Sequence, residues 1–381
     1  MRQIYLDYNA TTPIAPEVCD AMDPFLREHF GNPSSSHSLG RLCKEAIEVA
    51  RAQVAALIGA QPDEIFFTAG GTESNNLVIK GTFFAEANRT ARFVTSAFEH
   101  PAIKKPALFH QQSGGQVVWI GTDSHGVVDL DQLESVCQQD DVRLVSVMHA
   151  NNEIGTLQPI SKISRICAGR KIPLHTDAAQ SIGKVRVRVD ELGVDYLTIA
   201  GHKLYAPKGV GALFVRAGQN LVPSVHGANH EKGVRPGTEN VPYIVGLGVA
   251  AKLALTREAE SIQKMKQVRD RFEQILIGGI AGLTINGHQA ERLPNTSSLN
   301  FPKVTASEML KKVPELCVST GAACHSDTIA LSDTLSAIGL NEQVGAGTVR
   351  VSCGKNTTME EMELAASLLI NAWENSVENA K

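Results

Sequence analysis

Five short apolar runs, each followed at once by uncommon polar residues, constrain this chain more than any other feature. Ile65–Thr68 runs into Ala69-Gly70-Gly71-Thr72-Glu73-Ser74-Asn75, Arg92–Ala97 is followed by Glu99 and His100, and Leu144–Met148 by His149, Asn151, Asn152 and Glu153. Pro173–Thr176 leads into Asp177 and Gln180, and Tyr196–Ile199 into Gly201, His202 and Lys203. Most of these runs, with Gln116–Ile120 and Ala212–Val215, are β-branched and apolar at successive positions, as in strands covered on both faces. Helical patterns lie between many of them. Leu42, Ala46, Val49, Ala50, Val54, Leu57 and Ile58 recur at helical spacing up to Gly59, and Ile160–Ala168 is a further case. The alternation predicts an α/β chain with a mostly parallel sheet and helices on both faces. Ligands of such sheets bind beyond the carboxyl ends of the strands, so the five polar clusters are expected along one edge.

After Val241–Leu255, which reads as helical, and the charged amphipathic helix Glu258–Leu276, the pattern changes. Strands are expected at Leu283–Asn286, Thr296–Phe301, Leu316–Ser319 and Thr348–Ser352, and helices at Ala306–Lys312, Thr328–Ile338 and Met359–Asn375. This is a smaller α+β domain, with a boundary near residue 256. A length of 381 residues accommodates two such domains. Hydrophobic residues at 43% and charged residues at 20% mark a soluble globular chain, and no apolar stretch reaches the ~20 residues of a membrane span. A net charge of −4 with no long basic run gives no electrostatic case for nucleic acid. The seven cysteines form no CxxC pair, which argues against a structural zinc site, and no metal is expected. Their spacing is not that of a disulfide scaffold, and the first residues carry no secretory h-region; reduced thiols in a cytoplasm are the expectation.

Each polar cluster alone has an ordinary explanation. Gly70-Gly71-Thr72 can cradle a phosphate on free N–H groups, or be a tight turn with a capping Thr. His100 can be a buried, satisfied histidine, Asn151-Asn152 a turn pair, Asp177 a helix cap and Lys203 a surface charge. Taken together, a phosphate cradle, an acid at a strand end and a lysine at the sheet edge are the parts that pyridoxal phosphate (PLP) needs. The lysine bonds the aldehyde, the acid keeps the pyridine nitrogen protonated, and a histidine moves protons on the ring face. A second constellation, Ser319-Thr320-Gly321-Ala322-Ala323-Cys324-His325-Ser326-Asp327, sets one cysteine among small and polar residues. That context suits a mobile, accessible thiol whose thiolate His325 favours, against the alternatives of a buried structural cysteine or a metal site. Arg350 can clamp a carboxylate or form a surface salt bridge.

Several segments resemble the cysteine desulfurases of the class V aminotransferase group: Tyr5-Leu6-Asp7-Tyr8-Asn9-Ala10-Thr11-Thr12-Pro13, Phe30-Gly31-Asn32-Pro33-Ser34-Ser35, Thr72-Glu73-Ser74-Asn75-Asn76 and His149-Ala150-Asn151-Asn152-Glu153-Ile154-Gly155. Asp177-Ala178-Ala179-Gln180-Ser181, Gly201-His202-Lys203 and Arg235-Pro236-Gly237-Thr238-Glu239-Asn240 continue the series, so the resemblance spans nearly the whole chain. It implies a homodimer of the aspartate-aminotransferase-like fold, with residues 16–255 as the large PLP-binding domain and 1–15 with 256–381 as the small one. Lys203 is then the Schiff-base lysine, Asp177 the partner of the pyridine nitrogen and His100 the ring-stacking proton carrier. Gln180 and Asn152 contact the phenolic oxygen or substrate. Gly71, Thr72 and His202 hold the phosphate, and Thr238 reaches it from the other subunit. Cys324 is the persulfide-forming cysteine and Arg350 the arginine for the substrate carboxylate. The implied reaction converts L-cysteine to L-alanine and passes sulfur to an acceptor protein of iron–sulfur cluster assembly or thiolation.

The chain also departs from the family. Ala200 stands where Ser is frequent, and Ala228-Asn229 where Gly-Gly is common. Gly321-Ala322-Ala323-Cys324-His325-Ser326-Asp327 is similar to selenocysteine lyases, which leaves L-selenocysteine open as substrate. A PLP aminotransferase or β-eliminating lyase with Cys324 incidental, and a non-enzymatic sulfur-handling partner, are the other classes; the Cys324 loop argues against the first, and the intact Lys203, Asp177 and His100 against the second.

Overall fold

The computed structural model describes residues 3–85, 88–325 and 328–378, with the backbone alone over 322–330. After a short first strand, β1 (Ile4–Tyr5), seven strands form the large sheet: β2 (Ile65–Thr68), β3 (Arg92–Ser96), β4 (Gln116–Ile120), β5 (Val142–Ser146), β6 (Leu174–Asp177), β7 (Tyr196–Ala200) and β8 (Gly211–Val215). Their order is β2-β8-β7-β6-β5-β3-β4. The run from β7 to β4 pairs in parallel, and β8 lies antiparallel to both β7 and β2. The sheet is therefore mixed and mostly parallel, as its apolar runs require.

Successive residues of a strand point to opposite faces, and the two faces have separate cores. Phe66, Phe93, Leu144 and Leu213 pack with Leu77, Val78 and Ile103 of the helices Gly71–Phe83 and Pro101–Gln112. Their neighbours Phe67, Val94, Val145 and Phe214 pack on the other face, with the helices Ser38–Ile58, Ile160–Ala168 and Val241–Thr256. Phe93 and Phe214 are fully buried, and each contributes about 2–3 kcal/mol by leaving water. Helix Ser38–Ile58 begins where the His37 side chain accepts from the Gly40 N–H at 3.3 Å and ends at Gly59, whose φ of +70° only glycine adopts without strain.

The remaining strands are β9 (Thr284–Ile285), β10 (Thr296–Asn300), β11 (Leu316–Cys317), β12 (Ser319–Thr320), β13 (Ala322–His325), β14 (Thr328–Leu331) and β15 (Thr348–Ser352). A four-stranded antiparallel sheet runs β12-β15-β10-β9, and β1 pairs in parallel with β11. Ile4 and Leu6 join an apolar cluster with Met265, Phe272, Leu299, Val349 and Leu369 rather than the large-sheet cores. On that ground we propose the two domains as residues 16–255, and 1–15 with 256–381.

Two expectations are corrected. Thr328–Ile338 is not one helix: Thr328–Leu331 pairs antiparallel with β13, and the helix is only Asp333–Ala337. Ser332 separates them, extended in backbone and capping the helix by accepting from the Leu335 N–H at 3.2 Å. Leu316–Ser319 is likewise two strands, because Leu316–Cys317 pairs with β1 and Ser319–Thr320 with β15. Among the described residues no helix is long and apolar enough to cross a membrane.

Candidate active site

The parallel strands deliver their carboxyl ends to one cleft of about 410 Å³. Gly71, Thr72, His100, Asn152, Asp177, Gln180, His202, Lys203 and Arg350 all line it. Of the residues expected there, Thr238 is exposed on the segment before helix Val241–Thr256 and is not part of the cleft wall of its own chain. The backbone of Cys324 lies in β13 opposite Ile329, while its side chain, that of His325, and Ser326 and Asp327 fall outside the described residues.

Gly70 is the N-cap of helix Gly71–Phe83, with φ +143°, and no side chain caps the helix. The first N–H groups of a helix have no partner within it, so Gly71 and Thr72 present donors and the positive end of the helix dipole to the cleft. The capping-Thr explanation is thereby excluded. His202 lies beside this end; burial and the nearby Lys203 and Lys208 push its imidazole down to about 4, so it is neutral. Ala200 also lines the cleft and offers no hydroxyl.

Asp177 is the last residue of β6 and is 8% exposed. Its Oδ2 accepts from Asn75 Nδ2 at 2.7 Å, and its Oδ1 from the Ala179 N–H at 2.9 Å. Lys203 closes a short turn after β7. Its amine donates to the Ala10 carbonyl at 2.7 Å and to the Asn9 carbonyl. Burial and the Arg350 charge bring this amine down to about 8, against the opposing pull of Asp177 and Asp7. His100 caps helix Pro101–Gln112, its Nδ1 accepting from the Ala102 N–H at 3.1 Å, so in the neutral ring the proton is on Nε2. Withdrawal from water lowers its basicity, with Lys203 adding to the effect and Asp177 opposing it. Asn151 is the turn residue that its type suggests, its Oδ1 accepting from the N–H groups of Glu153 and Ile154 at 2.8 and 3.0 Å.

Arg350 reaches the cleft from β15. Its guanidinium donates to Asp7 Oδ1 at 2.7 Å, Ser319 Oγ at 2.9 Å and the Asn152 carbonyl at 3.1 Å, while its buried Nε has no protein partner. It is neither a free surface charge nor fully satisfied.

Sequence reasoning gave no role to four residues that shape this site. Asn75 holds Asp177. Asn9 accepts from Lys203 and from Gln180 Nε2 through its carbonyl. Lys184 is 5% exposed and donates to Gln180 Oε1 and Asn9 Oδ1 at 2.7 and 2.9 Å. Glu99, 3% exposed, accepts from Ser96 Oγ at 2.5 Å and the Met148 N–H at 2.8 Å, with its second oxygen unpartnered. Burial raises the Glu99 carboxyl to about 8. Asn75 and Glu99 had a legible signal, their places just after strands among the polar clusters at the sheet edge.

The aminotransferase class-V family model matches residues 4–364. A curated relative, the cysteine desulfurase IscS of Dictyoglomus turgidum, is 43% identical over 97% of this chain and 94% of its own. Among solved structures, a NifS-like protein superposes with a TM-score of 0.89 at 34% identity, covering 98% of both chains. SspA in complex with cysteine gives 0.81 at 35% identity over 93% of this chain and 99% of that one. The fold, the cleft at the strand ends and the length of these matches agree: the chain belongs to the aminotransferase class-V family, among its cysteine desulfurases.

Proposed function

We propose that this chain is a PLP-dependent cysteine desulfurase that converts L-cysteine to L-alanine and takes the sulfur onto Cys324 as a persulfide. The observation that carries the reading is the convergence of Lys203, Asp177, His100 and the N-terminus of helix Gly71–Phe83 on one cleft that Arg350 enters from the other domain.

The residues present fit the cofactor. The uncapped helix end suits a phosphate, the buried Asp177 a protonated ring nitrogen, and the Lys203 amine, held near 8, an aldehyde. Gly71, Thr72 and His202 would hold the phosphate and Gln180 the phenolic oxygen. When bound, PLP supplies a sink for the electrons released at the substrate α-carbon. Arg350, which lines the cleft and commits one Nη1 N–H to the Asn152 carbonyl, has a second Nη1 N–H for the substrate carboxylate, with Asn152 beside it. Lys203 is basic enough to take the α-proton near neutral pH. Neutral His100 carries a proton between the substrate sulfur and its surroundings. The Cys324 thiolate attacks that sulfur: an S–S bond forms, the C–S bond breaks, and carbon keeps the bonding pair before protonation to alanine.

The chain is proposed to act as a homodimer in which Thr238 reaches the partner's phosphate site, and to pass sulfur to an acceptor protein of iron–sulfur cluster assembly or thiolation. The free thiols at Cys19, Cys43, Cys137, Cys167, Cys317 and Cys353 support a reducing, cytoplasmic setting. A second reading, selenocysteine lyase, is favoured only by the Gly321–Asp327 sequence. Assaying alanine with sulfide or selenide from L-cysteine and L-selenocysteine side by side tests both: turnover of L-cysteine is expected, and turnover of L-selenocysteine alone would replace the desulfurase reading.

A further inference from the structure

Lys184 is a buried lysine whose two acceptors are both side-chain amide oxygens, Gln180 Oε1 and Asn9 Oδ1. Whether charged or neutral, its amine has N–H donors for both. A side-chain amide offers an oxygen on one side and an NH₂ on the other, so a donor that claims the oxygen decides where the nitrogen points. The surrounding bonds agree with that choice. Gln180 Nε2 donates to the Asn9 carbonyl at 2.9 Å, and Asn9 Nδ2 to the Asn152 carbonyl at 3.1 Å and Thr296 Oγ1 at 2.9 Å. Asn295 Nδ2 adds a second donor to Asn9 Oδ1 at 3.1 Å. With either amide reversed, NH₂ would face the Lys184 donors and the buried amide oxygen would face a carbonyl, each a costly mismatch. Gln180 Nε2 spends one N–H on Asn9, and Gln180 lines the cleft, which leaves its second N–H for an acceptor there.

We infer that Lys184 is a positioning residue: it locks the Gln180 amide with nitrogen available to the cleft, so that Gln180 donates to an anionic oxygen of the bound cofactor. This rests on the reading of the cleft as a PLP site. Burial, with the Lys203 and Arg350 charges nearby, pushes the Lys184 amine well below the ordinary lysine value.

The test uses the holoenzyme of the wild type, Lys184→Met, Gln180→Leu and the double variant. PLP dissociation is measured by equilibrium dialysis, and the pH midpoint of the visible absorption band by titration. Lys184→Met is expected to weaken PLP about tenfold, the range of one hydrogen bond to a charged acceptor. It should also move the midpoint to higher pH, since an N–H donor favours the ionised form of the oxygen it contacts. On the Gln180→Leu background the same change should add nothing. Unchanged affinity and midpoint in Lys184→Met, or an equal further loss in the double variant, overturns the proposal. If circular dichroism finds Lys184→Met unfolded, Gln180→Glu decides: it keeps an acceptor for Lys184 but has no donor, and wild-type values there overturn it as well. A wild-type chain that shows no PLP band overturns the cofactor reading and this proposal with it, whereas a normal band unmoved in Lys184→Met overturns the proposal alone.

Discussion

Arg350 Nη2 donates to Asp7 Oδ1 at 2.7 Å, joining the N-terminal segment to a strand 343 residues later. Both side chains are largely withdrawn from water, so removing either partner leaves a poorly solvated charge and costs more than it would at an exposed pair. Asp7 holds the guanidinium where Arg350 lines the cleft.

Arg350→Ala should therefore lower kcat/KM for L-cysteine by about 10- to 100-fold, the loss of a charge-assisted contact to the substrate carboxylate. Asp7→Asn should act in the same direction but less, mainly through KM. Steady-state kinetics of both variants and their combination check this. Additive effects in the double variant would show that Asp7 does not act through Arg350.

Cys324→Ala should abolish alanine formation from L-cysteine while leaving the visible PLP band intact, because the lost nucleophile acts in the transition state. Persulfide should be trapped by alkylation at Cys324 in the wild type. Cys317, on β11 beside β1, should tolerate the same change. Normal cysteine turnover by Cys324→Ala would leave β-elimination as the better account.

Glu99 makes stability depend on pH. Its carboxyl rises from 4.5 to about 8 on burial, so the folded state holds a proton that the unfolded state gives up. The Glu99 contribution to stability is fully present below about 4.5 and is lost as pH rises through about 8, on the order of a few kcal/mol. Glu99→Gln should flatten this part of the profile. Urea midpoints at pH 5 and pH 8.5 would measure it, and an unchanged slope in Glu99→Gln would assign the dependence to other groups.

The sequence by itself determined the strands, their covered faces and the polar residue at each strand end, because these depend on residue type and spacing within a few positions. Hence β2, β4, β7 and β15 fall where the apolar runs place them, and Gly71, His100, Asp177 and Lys203 meet at one edge as the rule for parallel sheets requires. The break at Ser332 was less legible, since a short run such as Thr328–Leu331 suits helix or strand until a partner strand is known. Only the tertiary structure decided what surrounds those residues. It brought Asn9 and Asp7 from the N-terminus to Lys203 and Arg350, buried Lys184 between two amides, and raised Glu99 by enclosing it. The hydrogen bonds to Asn9 and Asp7 join segments 175 to 343 residues apart, and no local pattern encodes them or the burial around them.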